Sequence, residues 1–293
     1  MKIGVVGPGA VGLLFSYYLR KAAGNVTVYT RTQEQAEYIR MHGITCRREG
    51  WCDTVFPDAR ELDGAVLADD YLFVAVKQYD LEALFPRLHK SESRLVFLQN
   101  GMSHILLLQH MQNKKAAVGI VEHGAKKEST AAVKHTGIGT TRFGIINGAL
   151  QDFQALFPLF SAPLFSMCIE EEWEAALTRK LIINACINPL TALYKVRNGE
   201  LVDNEHFCCM MKRVFAEVLS VVEVCDEKEQ WQHVCEVARK TAHNHSSMLV
   251  DLSLGRATEV EAILGYVLKQ AKEKEKELPL VSFLYHSIKG LER

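Results

Sequence analysis

Met1-Lys2-Ile3-Gly4-Val5-Val6-Gly7-Pro8-Gly9-Ala10-Val11-Gly12 opens the chain. A short apolar, β-branched run leads directly into glycines spaced G-x-G-x-x-G, and the apolar residues after Ala10 recur with helical period. Each glycine of such a strand–turn–helix has its own task. One allows the tight turn, the next lets the backbone approach a pyrophosphate, and the third lets helix and strand pack closely. The helix then offers its free N–H groups and partial positive charge to the phosphates. Gly7, Pro8, Gly9, Ala10, Val11 and Gly12 are therefore the expected phosphate-binding turn of a dinucleotide site.

Outward from that turn, short apolar runs alternate with helical stretches, the pattern of a parallel sheet with crossover helices. Strands are expected at Lys2–Val6, Val26–Tyr29, Tyr71–Val76, Arg94–Leu98, Ala117–Val121, Thr140–Ile145 and Leu164–Ile169. Helices are expected at Val11–Ala23, Gln33–His42, Asp80–Leu88 and Ser103–Met111. From Glu171 the character changes to long helices: Glu171–Leu193, Asn204–Cys225, Trp231–Thr241, Ser247–Leu254, Glu259–Lys274 and Val281–Leu291. The expected architecture is an α/β Rossmann domain over residues 1–170 and an all-α domain over 171–293. The run KQAKEKEKEL, residues 269–278, reads as the solvated end of a helix.

Two positions beyond strand ends bear on the cofactor. The second strand runs into Tyr29-Thr30-Arg31, where an NAD-specific site usually carries an acidic residue. The planar fork of Arg31 can pair with a 2′-phosphate and stack on adenine, which argues for NADPH. Arg31 is also compatible with a plain loop arginine before a helix, since Thr32-Gln33-Glu34-Gln35 has the form of a capping box. Lys77 follows Tyr71–Val76, and Asn100 lies in Gln99-Asn100-Gly101 after the next strand. Both fall on the edge where open α/β sheets bind ligands.

The chemistry-bearing segment is Lys180-Leu-Ile-Ile-Asn184-Ala-Cys-Ile-Asn188-Pro-Leu-Thr191. Lys180, Asn184 and Asn188 recur at i, i+4 and i+8, one narrow stripe of a helix that is otherwise apolar. Buried amides and ammonium groups need partners. The stripe is therefore either an internal network holding helices in register or a polar wall facing a cleft. Asn198-Gly199 follows, then Ser246-Ser247 at a helix start, then Thr258-Glu259-Val260-Glu261. Glu259 and Glu261 there could serve only as partners of a helix dipole.

With 48% hydrophobic and 24% charged residues and a net charge of −1 over 293 residues, no basic surface calls for nucleic acid or an anionic membrane. The most apolar stretch, Ala155–Ile169, holds Pro158 and Pro163 and is too short to span a bilayer. A strand at the very start leaves no room for a signal peptide, so a cytoplasmic protein is expected. The eight cysteines form no CxxC pair and read as buried free thiols. No HExxH or His/Cys cluster with ligand spacing occurs, so no metal is expected.

Taken together, these motifs resemble the ketopantoate reductase (2-dehydropantoate 2-reductase) family along essentially the whole chain. The likeness is carried by the GxGAVG turn with Arg31, the Lys77 segment, Gln99-Asn100-Gly101, K-x3-N-x3-N-P-x-T, Asn198-Gly199 and SSM-x2-D…GR-x-TE. It implies a helical half like the C-terminal domain of 6-phosphogluconate dehydrogenases. It also implies NADPH-dependent reduction of ketopantoate to pantoate, with the nicotinamide facing an interdomain cleft. Lys180 matches the lysine that polarises the keto group and supplies the proton. Glu259 matches the glutamate that holds the substrate's hydroxyl end. Asn100, Asn184, Asn188, Asn198 and Ser247 match cofactor- and substrate-binding polar residues, and Asp251 matches a supporting one. The chain departs from the family at Thr178, where an aromatic is common and Trp173 stands earlier, and at Leu264, where an amide is common. Two rival readings stay open: a reductase of another small 2-keto acid, and a non-catalytic NADPH-binding redox sensor. Oligomeric state is not legible, and a homodimer is left open.

Overall fold

The computed structural model describes residues 1–108, 111 and 114–292. These divide into two compact units, Met1–Gln99 with Leu107–Trp173, and Asn100–Leu106 with Glu174–Arg293.

The first unit begins β1 (Ile3–Val6), α1 (Ala10–Ala23), β2 (Val26–Thr30) and α2 (Gln33–His42). It continues through β3 (Ile44–Arg48), β4 (Trp51–Val55), β5 (Asp58–Glu61), β6 (Tyr71–Val74), α3 (Gln78–Lys90) and β7 (Arg94–Phe97). After α4 (Ser103–Leu108), most of which belongs to the second unit, come β8 (Ala116–Val121), β9 (Gly124–Ser129), β10 (Ala132–Gly137) and β11 (Thr140–Asn147). The helix expected over Ser103–Met111 is described only as far as Leu108, since residues 109 and 110 lie outside the described residues. The unit closes with α5 (Leu150–Phe153), a 3₁₀ stretch Gln154–Phe160, β12 (Ser161–Ala162) and β13 (Phe165–Ile169).

Nine strands form one sheet in the order β12-β13-β11-β8-β7-β6-β1-β2-β5. β1 is parallel to β2 on one side and β6 on the other, with Val6 opposite both Tyr29 and Val74. The strand order reverses there, which is the switch point where such sheets bind ligands.

Four further strands, none of them among those expected from the sequence, make a second sheet in the order β4-β3-β10-β9. Their signal is weak because they are amphipathic and short. In Ile44–Arg48 only Ile44 and Cys46 are fully buried, and Arg47 points out. The small sheet explains an oddity of α1. Gly12 to Leu19 are all buried, so this helix is covered on every side. It lies against β1 and β2 of the large sheet and against β3, β4, β9 and β10 of the small one. Phe15 packs edge-on to Phe165 at 4.9 Å, and Tyr18 stacks on the same ring at 4.3 Å.

The second unit is helical. It comprises α6 (Trp173–Tyr194), α7 (Glu200–Asp203), α8 (Glu205–Leu219), α9 (Glu227–Lys240) and α10 (Ser247–Ser253). A π-helical turn over Glu261–Gly265 leads into α11 (Tyr266–Glu273), and α12 (Pro279–Leu291) ends the chain. Three expected helices are corrected. The one read as Trp231–Thr241 begins earlier, at Glu227, where the Asp226 side chain caps it. The one read as Asn204–Cys225 stops at Leu219, where the Ser220 hydroxyl donates to the Glu217 carbonyl at 2.7 Å. The one read as Glu259–Lys274 starts two residues later and opens as a π turn. Leu181, Ile182, Leu190, Met211, Val214, Val260, Leu264 and Ile288 meet in its core.

All eight cysteines are free, but the expectation that they are buried holds only for Cys46, Cys186 and Cys235; Cys52, Cys168, Cys209 and Cys225 are exposed. No helix among the described residues is long and apolar enough to cross a membrane.

Candidate active site

The glycine turn has the form the sequence predicts. Gly7 adopts φ +91°, and a Cβ there would sit 2.8 Å from Val76, so no other residue fits without strain. A Cβ on Gly12 would lie 2.0 Å from the Gly7 carbonyl oxygen, which is how helix and strand approach so closely. Gly9 is the contrast. It is exposed, and a Cβ on it would meet nothing within 4 Å. The space above Gly9 and the start of α1 is thus open to an incoming phosphate. No acidic residue occupies the first turn of α1, so the helix end keeps its positive character.

Because β1, β2 and β6 are parallel, their carboxyl ends share one edge of the sheet, and Gly7, Arg31 and Lys77 all follow those ends. Thr30 shapes the exit from β2. Its hydroxyl donates toward the carbonyls of Thr32 at 2.8 Å and Arg60 at 3.2 Å, leaving Arg31 exposed. The expected capping box at α2 is only half present. The Thr32 hydroxyl accepts from the Gln35 amide at 3.3 Å, but the Gln35 side chain donates to the Thr130 carbonyl instead of returning to Thr32. Lys77 is the N-cap position of α3 and half-buried. Gln99, beside Asn100, positions the chain. Its buried amide donates to the carbonyls of Val74 and Val76, both at 3.0 Å, and so pins the chain beyond β6.

In the helical unit the main junction joins Asn100 to Glu259. The Asn100 amide donates to Glu259 Oε2 at 3.0 Å, and Glu259 is buried at 7% exposure. Gly101 makes that approach feasible. It has φ +78°, and a Cβ there would lie 2.3 Å from the Ala262 carbonyl oxygen. Glu259 is set from the other side by a cap built from the chain's last residues. Glu292 Oε1 accepts from the Thr258 amide at 2.8 Å and the Thr258 hydroxyl at 2.7 Å. The same hydroxyl accepts from the Val260 amide at 3.1 Å. Burial works against the Glu292 charge, but Lys289 and the two Thr258 donors outweigh it and hold the carboxyl below its usual range. The π turn follows immediately, and such turns recur at functional sites.

Lys180, Asn184 and Asn188 all lie on α6, the first two half-buried and Asn188 at 8% exposure. Two residues the sequence reading did not assign tie this helix to α10. The Thr191 hydroxyl donates to the carbonyls of Ile187 and Asn188 and is 2.8 Å from the Ser246 hydroxyl. Ser246 caps α10 by accepting from the Leu249 amide at 3.2 Å. It is Ser246 that is buried here, while Ser247 is exposed at the first helical position. Asn198 is also buried, its amide donating to the Thr241 hydroxyl at 2.8 Å. Asp251 accepts the Arg256 amide on its carbonyl at the end of α10. Thr178 donates to the Met102 sulfur at 3.6 Å, and Leu264 is wholly buried among apolar side chains. The amide missing at 264 is thus replaced by core packing.

His104 was also missed. It is 1% exposed, and burial holds its imidazole neutral, with the pKa down to about 3 and the charge of Lys180 pushing the same way. A lone histidine in an apolar helix gives no sequence signal of that neighbourhood.

The family description "Ketopantoate reductase PanE/ApbA" matches residues 3–148, and "Ketopantoate reductase PanE/ApbA C terminal" matches residues 172–292. The chain belongs to the ketopantoate reductase family. The 2-dehydropantoate 2-reductase of Bacillus subtilis strain 168 is 42% identical over 296 residues, covering 100% of this chain and 98% of that protein. The crystal structure of a probable 2-dehydropantoate 2-reductase from Bacillus subtilis superposes with TM-score 0.88 at 40% identity, covering 100% of each chain. A D-mandelate dehydrogenase structure with NADH and anilino(oxo)acetate shares the fold, with TM-score 0.88 at 22% identity over 100% of this chain and 98% of that one. Ketopantoate reductases are NAD(P)-dependent oxidoreductases built from an α/β sheet domain and a helical domain, which is the architecture found here.

Proposed function

We propose that this protein reduces 2-dehydropantoate to (R)-pantoate with NADPH, the reductive step toward pantothenate and coenzyme A. The observation that carries the reading is the Asn100–Glu259 pair, held by the Gly101 turn on one side and the Thr258–Glu292 cap on the other. A carboxylate as buried as that of Glu259 is costly to set up for packing alone, and the Asn100 amide donates to it there. In this reading residues 1–170 hold the nucleotide and residues 171–293 carry the substrate chemistry, with Asn100 serving both.

The turn residues fit a dinucleotide: Gly7 and Gly12 are sterically obliged to be glycine, and Gly9 leaves its approach open. Gly7 to Gly12 would hold the pyrophosphate, Arg31 the 2′-phosphate, and Lys77 and Asn100 the remainder of the cofactor. NADPH, when bound, supplies the hydride to C2 of the keto acid. Lys180 supports that transfer by placing an ammonium against the keto oxygen. It stabilises the negative charge as the C=O π pair moves onto oxygen, then gives that oxygen its proton. Lys180 is left neutral and is recharged from solvent. Glu259 accepts from the substrate's hydroxyl end, while Asn184, Asn188, Asn198 and Ser247 fix the orientation of the acid.

The decisive assay is NADPH oxidation with ketopantoate beside pyruvate, 2-ketoisovalerate and acetolactate. Turnover confined to ketopantoate is expected. Faster turnover on another of the four would replace the substrate, and tight NADPH binding with no turnover on any would turn the protein into a sensor.

Arg31→Asp tests the cofactor assignment. It replaces a cation by the acidic residue typical of NAD sites, and the ratio of NADPH to NADH affinity is expected to fall by roughly 10²-fold or more. Fluorescence titration of both nucleotides reads the ratio directly. An unchanged ratio removes Arg31 from the site.

A further inference from the structure

From the substrate reading above, on which it rests, we infer that Glu292 is a positioning residue for Glu259, and that through Thr258 it sets how strongly the site prefers a keto acid bearing a hydroxyl. Glu292 is the C-cap residue of α12, and its side chain is 14% exposed. One carboxylate oxygen, Oε1, accepts from both the amide and the hydroxyl of Thr258, at 2.8 and 2.7 Å. The Thr258 hydroxyl in turn accepts from the Val260 amide at 3.1 Å. The residues on either side of Glu259 are thus held by one carboxylate and one hydroxyl. The Glu259 side chain between them meets the Asn100 amide at 3.0 Å. α12 grips the same segment a second time, where the Tyr285 hydroxyl donates to Glu261 Oε2 at 2.5 Å. Tyr285 and Glu292 stand two helical turns apart and so share one face, with the fully buried Ile288 between them.

The placement has the wrong charge for α12 itself. A helix C-terminus carries partial negative charge, which favours a cation there and disfavours a carboxylate. Lys289 in the last turn is the favourable cation, and it pairs with Glu292 Oε2 at 2.7 Å, which leaves Oε1 to Thr258. For the segment that begins at Thr258 the sign is right. Glu292 stands where an N-cap side chain would, at the start of the helical run that carries Glu259. The Thr258 hydroxyl serves the Val260 amide, and Glu292 serves Thr258 through charge-assisted bonds, which are the strong kind. A carboxylate that must meet a substrate hydroxyl tolerates little displacement, since a shift of about 1 Å in a positioning group can cost 10²-fold in rate. The keto group is served by Lys180 on α6, a different element, so loosening the cap acts on the hydroxyl end of the acid.

The test is steady-state reduction of ketopantoate and of trimethylpyruvate, the same acid with hydrogen in place of the hydroxyl, by the full-length wild-type protein, Glu292→Ala and Glu292→Gln. Wild type is expected to prefer ketopantoate in kcat/KM by roughly 10²-fold or more, because the analogue leaves Glu259 without the hydroxyl it is built to meet. Glu292→Ala is expected to lower kcat/KM for ketopantoate by about tenfold, mainly through KM, while trimethylpyruvate stays within about twofold of wild type. Glu292→Gln keeps an acceptor oxygen for the two Thr258 donors and is expected to recover most of the preference. Equal losses on both acids overturn the inference, since a residue that merely supports packing would move both substrates together. An unchanged preference in Glu292→Ala overturns it as well. Wild-type protein with no preference for the hydroxylated acid overturns the Glu259 reading itself.

Discussion

Lys180→Ala is expected to lower kcat for ketopantoate reduction by roughly 10²- to 10⁴-fold, the range lost when a positioned proton donor is removed. NADPH affinity should change little, because Lys180 belongs to the helical unit and the glycine turn to the other. The alanine leaves the fold in place. Lys180 is half-buried on a 22-residue helix whose apolar neighbours Leu181 and Ile182 carry the packing, and alanine has the highest helix propensity. The lost term lies in the transition state: negative charge grows on the keto oxygen and then requires a proton. Binding of the keto acid should weaken far less than turnover falls, the signature of an interaction made mainly in the transition state. Lys180→Arg would retain the positive charge. Its guanidinium does not readily release a proton, so it is expected to recover binding and little of the rate. Stopped-flow measurement of a single turnover separates the two contributions. Near-normal turnover in Lys180→Ala would exclude the lysine from the chemistry.

The sequence exposed the parts of this site that rest on short-range patterns. Gly7 to Gly12 is a contiguous motif, and the α6 stripe is set by helical period alone, so both could be read without contacts. Arg31 and Lys77 could be placed because parallel strands bring their carboxyl ends to one edge. What stayed hidden depends on pairing across long separations. The four-stranded sheet joins residues 44–55 to 124–137, and its strands alternate charged with small apolar residues too briefly to stand out from loops.

The same limit explains the helical unit. Asn100 was legible as a residue beyond a strand, but its bond to Glu259 spans 159 positions. Thr258-Glu259 looked like an ordinary helix start, and the acidic pair after it like dipole partners. The structure separates the roles. Glu259 faces Asn100, Glu261 accepts from the Tyr285 hydroxyl, and Glu292 caps Thr258. Glu259 and Glu261, two carboxylates of one short segment, thus do different things, and only their partners distinguish them. Ser246 and Ser247 give the same lesson at shorter range: either could cap, and the buried one does.

Acid should unfold this protein well before its carboxylates are fully protonated, through two histidines kept neutral by burial. His104 in the helical unit is held down to about 3 and His123 in the sheet unit to about 4, against about 6.5 in an unfolded chain. The folded forms of both remain neutral as pH falls through 6.5, while the unfolded chain takes up the protons. The unfolded state thus binds more protons, and stability falls with falling pH, by about 1.4 kcal/mol per pH unit for each histidine once below 6.5. The loss continues down to the folded-state values near 4 and 3. His123 cannot escape by moving. Its ring lies against Phe165 at 4.9 Å, its Nδ1 accepts from the Gly139 amide at 3.2 Å, and His135, itself held low by burial, sits 3.3 Å away. His123→Asn offers an oxygen near the position of Nδ1 for the Gly139 amide while removing the titrating group. Unfolding free energies from urea titrations at pH 7.0, 5.5 and 4.5 are expected to fall less steeply for this variant, by about 1.4 kcal/mol per pH unit. The share of the acid dependence that comes from His104 should remain in the variant. Equal slopes for both proteins would mean that His123 takes its proton without cost, and that burial of its ring does not set the acid limit of this fold.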